Sequence, residues 1–152
     1  MVMFVKDWLN WIPLISPILP TLLIIAAILA GVWIGRRHMS GRLYLELGKR
    51  YDEIWQDGYD DQGFPIRLDL SRTYDPMPYR VKITLMRYLN LCCEEYVLYR
   101  RGLLHKRVWR LCHREIQRTL RTNLLRQGWT ELRSAFLAYP DFVQYVDAAV
   151  QS

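Results

Sequence analysis

The sequence predicts an all-α protein: one N-terminal transmembrane helix, then a small bundle of about four helices with an irregular acidic loop. Three observations predict it. Residues 14–34 carry no charge, and Arg36 and Arg37 follow almost at once. Beyond them, apolar residues recur at the three- and four-residue spacing of helices. Where that period lapses, at residues 57–78, the chain is rich in Gly, Pro and Asp, the residues of turns.

As a helix, residues 14–34 reach roughly 30 Å, the thickness of a bilayer's hydrocarbon core. Trp8 and Trp11 precede the run and Trp33 stands near its end, as amphipathic rings do at bilayer–water interfaces. Pro13, Pro17 and Pro20 crowd the first third, so the regular helix is expected to begin near Pro17 or Pro20. A cleaved leader fits less well. Positive charge at the start is slight, the small-x-small pattern is missing, and the run ends in an arginine pair that reads as a stop-transfer signal. Arg36, Arg37, Arg42, Lys49 and Arg50 all follow the run. The positive-inside rule then expects a single-pass protein of a bacterial inner membrane, N-terminus outside and C-terminal domain cytoplasmic. Three cysteines without a disulfide framework agree with a reducing compartment.

The expected organisation is an interfacial start at residues 1–13, a transmembrane helix at 14–35 and a juxtamembrane stalk helix at 36–56. An acidic irregular loop at 57–78 and a helical domain at 79–152 follow. Ala27, Gly31 and Gly35 recur every fourth residue, so a second membrane helix, from another protein or a second copy, is an expected neighbour there. In the stalk, Leu43, Leu47, Tyr51 and Ile54 form an apolar face that Tyr44, Leu45 and Trp55 widen. Asp57, Asp60 and Asp61 near Gly63 lack the alternating ligands and closing Glu of a calcium loop, so a solvated acidic loop is expected. Residues 66–70 alternate like a strand too short to build a sheet alone.

The strongest soluble helix is expected at residues 79–101, with Val81, Leu85, Tyr88, Leu89, Cys92 and Tyr96 inward and Gly102 as its stop. Its other side presents Arg87, Asn90, Glu94 and Arg101, either a salt-bridged exposed face or a polar contact patch. A third helix is expected from about residue 105 to 125, with Leu104, Val108, Leu111, Cys112 and Ile116 inward. Arg107, Arg110, Arg114, Arg118 and Arg121 line its opposite face. Residues 100–126 hold nine basic side chains against Glu115 alone. Gly128 is expected to break that helix, a fourth to run from 129 to 138 with Trp129, Leu132 and Phe136 inward, and Asp141 to cap a last short one.

The sequence carries no Gly-rich phosphate loop, no His-Glu metal helix and no nucleophile elbow. Cys92 with Cys93, and Cys112 with His113, are too closely spaced to share a zinc ion easily, and packed reduced thiols are the better reading. His38, His105 and His113 lack triad-like partners. No cofactor, no metal and no enzymatic activity are expected.

The segment RYLNLCCEEYVLYRRGLLHKRVWR resembles a family of uncharacterised bacterial membrane-tethered proteins with a small helical domain. The residues that carry the resemblance are Leu89, Asn90, Glu94, Gly102 and Trp109, and it covers roughly residues 80–150. The resemblance implies the architecture and no defined activity. The favoured expectation is a non-enzymatic accessory or scaffold subunit, packed on other membrane helices, whose basic domain meets a cytoplasmic partner or the lipid surface. The alternative is a membrane-tethered sensor or effector, in stress or phage defence, whose basic face binds nucleic acid or a phosphorylated ligand. Nucleic acid ranks last among the partners, because no binding module accompanies the arginines.

Overall fold

The computed structural model of the chain describes residues 18–151. The interfacial start read at residues 1–13, with Trp8, Trp11 and Pro13, and the first residues of the apolar run, Pro17 among them, lie outside the described residues. Among the described residues five α-helices follow one another: α1 (Ile18–Gln56), α2 (Tyr79–Arg100), α3 (Lys106–Leu120), α4 (Asn123–Leu132) and α5 (Pro140–Gln151). Short 3-10 turns occur at Ile66–Leu68 and Arg133–Phe136. Among the described residues no strand forms, and one isolated bridge joins Tyr59 to Pro65. The all-α expectation holds.

The chain divides into two compact units, Met1–Met39 and Ser40–Ser152. In the first, every residue from 20 to 35 is exposed. The helix that holds them is long and apolar enough to cross a bilayer.

In the second unit, three contacts step in register along α1 and α3. Ser40 Oγ donates to the Leu103 carbonyl at 3.1 Å, just before α3, and Tyr51 OH donates to Glu115 at 3.3 Å. Trp55 and Thr119 then line one cleft together. Eleven or twelve residues separate the first two contacts on each strand of the pair, so the two helices run parallel. Parallel neighbours need a long return, and α2 supplies it. It runs the other way, with Glu94 on Arg50 at 2.6 Å and Arg87 on Asp57 at 3.7 Å. Its buried stripe, Val81, Leu85, Tyr88, Leu89 and Cys92, is the one the spacing predicts. Leu47, Ile54 and Trp55 of α1 and Ile116, Leu120, Leu124, Phe142 and Val146 from later helices complete the core.

Five local expectations are corrected. The helix expected from about 105 to 125 ends at Leu120, where Thr122 is extended (ψ 151°) and its Oγ1 donates to the Thr119 carbonyl at 2.7 Å. Opening the backbone there lets the Leu124 amide donate to the Leu70 carbonyl at 3.1 Å, docking the irregular segment on the bundle. Gly128 is therefore no breaker. It lies inside α4 facing Leu85, where an added Cβ would stand 2.5 Å from a Leu85 methyl. The stretch expected to alternate like a strand makes a 3-10 turn instead, driving Ile66 into the core. Leu111 is 47% exposed, and Tyr44 and Leu45 are exposed too, so these three do not widen the inward faces.

The acidic loop is the fifth. It is irregular, yet Asp60 is buried at its centre rather than solvated. Its carboxylate accepts the Gln62 and Phe64 amides at 2.9 and 2.8 Å, Arg72 at 3.0 Å and the Tyr74 hydroxyl at 3.4 Å. The Phe64 amide leads the groups that hold this carboxyl below its ordinary range. Gly63, at φ +76°, supplies the left-handed turn that brings those amides round. A stretch of many polar residues is thus folded around one of them.

Two glycines of opposite setting test this packing. Gly128→Ala forces Leu85 to move in a closed core and is expected to cost about 1–2 kcal/mol net of the better helix propensity of Ala. Gly48→Ala adds a methyl to open space on α1 and is expected to gain about 1 kcal/mol. Chemical denaturation followed by tryptophan fluorescence measures both, and equal signs would contradict the packing described.

Candidate functional site

Ala27, Gly31 and Gly35 lie on the exposed helix of the first unit, and a Cβ added at Gly31 or Gly35 would meet nothing within 4 Å. On the second unit, Arg107, Arg110, Arg114, Arg118 and Arg121 are all exposed along α3 and its last cap. Among the described residues only Arg118 of the five makes an ion pair, with Glu115 at 3.0 Å. The stripe is long: at helical rise, Arg107 and Arg121 stand roughly 20 Å apart.

Arg87, Asn90, Glu94 and Arg101 are likewise exposed on α2 and its cap. Two of them are used inside the unit, Arg87 by Asp57 and Glu94 by Arg50, both across to α1 and the residue after it. Exposed pairs of this kind are each worth about 0–1 kcal/mol. They fix the register of the antiparallel helices more than they strengthen it.

The spacing of residues gave no sign of a cavity, and two flank Tyr51 and Glu115. One, of about 290 Å³, is walled by Leu47, Tyr51, Leu111, Cys112, Glu115 and the buried Glu95. The other, of about 370 Å³, lies beyond them toward Trp55, Arg67, Leu70 and Arg118. Glu95 is the residue that sequence reading missed. It follows Glu94 on an apparently exposed helical stretch, and only the parallel approach of α1 and α3 closes over it. Burial pushes its carboxyl up from 4.5 to about 7, a hydrogen bond with the Cys112 thiol opposing this in part.

The thiols around it behave as core. Cys92, Cys93 and Cys112 are buried and unpaired with one another. Burial raises Cys93 to about 11 and Cys112 to about 12, and Cys92 well above its usual range. Thiols held protonated in this way are poor nucleophiles and poor metal ligands. Trp109 stacks on Tyr99 at 4.7 Å, and His113 Nδ1 meets the Tyr145 hydroxyl at 2.9 Å. These rings tie α5 to α2 and α3. Among the described residues no group of three or more His, Cys, Asp or Glu is placed to hold a metal ion.

No family model, curated protein or solved structure matches this chain.

Glu95 makes stability depend on pH in a definite sense. The native state keeps a proton up to about pH 7 that the unfolded chain releases near 4.5. Its contribution is therefore fully present below about pH 4.5 and is lost as pH rises through about 7, on the order of 3 kcal/mol. Glu95→Gln is expected to flatten the denaturation midpoint across that window and to exceed the native chain in stability above it. Parallel slopes for the two proteins would show that Glu95 is not the titrating group.

Proposed function

We propose that the chain is a membrane-anchored accessory subunit that acts by binding. Its apolar helix is held in a bilayer, packs through Ala27, Gly31 and Gly35 on a second membrane helix, and carries a basic helical domain into the cytoplasm. The observation that carries this reading is the exposure of nine large apolar side chains from Leu22 to Ile34, each between 48 and 64% exposed, beside open glycine positions. In lipid such a face is satisfied by hydrocarbon, while small residues let another backbone approach closely. Arg42, Lys49 and Arg50 beyond it support the cytoplasmic orientation in a bacterial inner membrane. The partner is membrane lipid together with another membrane protein or a second copy of the chain.

A second reading keeps one observation of its own. Four of the five α3 arginines stand outside any ion pair among the described residues. That favours an effector whose basic face binds nucleic acid or a phosphorylated ligand.

Extraction of the native protein in a mild detergent, followed by mass spectrometry of what accompanies it, separates the two. A stoichiometric membrane protein is expected, and Gly31→Leu is expected to release it while leaving the chain in the membrane. A lone chain that carries nucleic acid in a salt-sensitive way would overturn the subunit reading.

A further inference from the structure

The turn between α2 and α3 is built with unusual firmness. Gly102, at φ +70°, lets the Leu103 and Leu104 amides donate to the Leu98 carbonyl at 2.9 and 3.2 Å. Leu104 is buried, Leu103 points outward at 37% exposure, and Ser40 holds the Leu103 carbonyl from α1. Four exposed cations, Arg100, Arg101, Lys106 and Arg107, lie within four residues of Leu103. Among the described residues Arg100 pairs with Asp141 at 3.3 Å, and Arg101, Lys106 and Arg107 enter no ion pair. Between Arg100, Arg101 and the stretch from Tyr139 to Asp141 opens a cleft of about 300 Å³.

Two further facts bear on what this turn meets. Lys106 and Arg107 occupy the first turn of α3, which holds no acid, although the helix dipole favours acids there. Local stability alone would choose otherwise. Only five residues lie between Ile34 and Ser40, so covalent geometry keeps Ser40 within roughly 20 Å of the last apolar residue of the run. Whatever surface surrounds that run is within reach of the turn that Ser40 holds.

We propose that the Gly102 turn is a docking surface for anionic lipid headgroups. Arg101, Lys106 and Arg107 contact lipid phosphates while Leu103 enters the interfacial layer between them. This rests on the membrane anchor proposed above and deepens it. It also reassigns the lipid contact: Arg107 alone of the α3 stripe belongs to this turn, and the arginines toward Arg121 are progressively farther along the helix. Clustered cations beside a span are attracted by anionic leaflets within a Debye length.

The full chain in lipid nanodiscs tests it, neutral phosphatidylcholine against discs containing phosphatidylglycerol. Hydrogen–deuterium exchange of peptides covering residues 100–107 is read against those covering 57–78. Anionic discs are expected to slow exchange at the turn several-fold and to leave the reference unchanged, with high salt removing the difference. The double variant Arg101→Glu, Lys106→Glu is expected to lose the protection. Both sites are exposed, and the acid that the dipole favours in the first turn of α3 offsets the one it opposes at the C-cap of α2, so folding is preserved. Equal exchange in both kinds of disc would overturn the inference alone, whereas a chain that does not enter discs would overturn the anchor. Protection of the turn by inorganic phosphate in neutral discs would overturn the bilayer as its occupant.

Discussion

Water is a poor solvent for residues 20–34, and the remaining chain is arranged under that constraint. Withdrawing a Leu or Ile side chain from water is worth about 1.5–3 kcal/mol. The nine large apolar side chains from Leu22 to Ile34, each between 48 and 64% exposed, thus carry a driving force on the order of 10 kcal/mol, comparable with the roughly 5–15 kcal/mol that holds an ordinary domain together. No other element of the described chain covers them. The same helix, from Ser40 on, carries charged side chains among its apolar ones and gives Leu47, Ile54 and Trp55 to a protein core. One continuous helical sequence is therefore exposed and apolar up to Ile34 and contributes to a protein core from Ser40 on.

Running α1 parallel to α3 has consequences throughout the second unit. A parallel pair obliges α2 to return between its members, and the ion pairs Arg50–Glu94 and Asp57–Arg87 fix where it lies. It also closes the space over Glu95, which is why a carboxyl one residue from an exposed ion pair titrates near neutrality. Close approach of α4 to α2 at Gly128 and Leu85 then leaves no room for a side chain. The irregular segment after α1 is kept in place by Asp60 and by Gln127, whose amide exchanges hydrogen bonds with the Tyr74 backbone in both directions.

Much of the fold was legible in the sequence because helices announce themselves by period. The inward stripe of α2, from Val81 to Cys92, needed only spacing, and so did the charge-free run. Legibility failed where tertiary contact overrode local preference. Gly128 looked like a stop because glycine is a poor helix former, but its small size is what α4 requires against Leu85. The true boundary carried its own signal in Thr122 and Asn123, both favoured at helix starts, and that signal was weaker than the glycine. Asp60 and Glu95 could not be singled out at all. Among many acidic residues, nothing in the spacing says which one the backbone will wrap or which one two helices will cover. The arginines of α3 were plain to see, yet their division between the turn at Ser40 and the far end of the helix is a matter of three dimensions.

Whether residues 20–34 remain in the bilayer as part of the working protein is the claim on which the rest stands. The most direct measurement is the intact mass of the chain recovered from cell membranes after an alkaline carbonate wash. The anchor requires the uncleaved mass, apolar helix included, in the washed membrane pellet. A chain shortened past the apolar run, or an intact one released into the wash, would contradict it: the first makes that run a removed leader, the second the core helix of a soluble assembly.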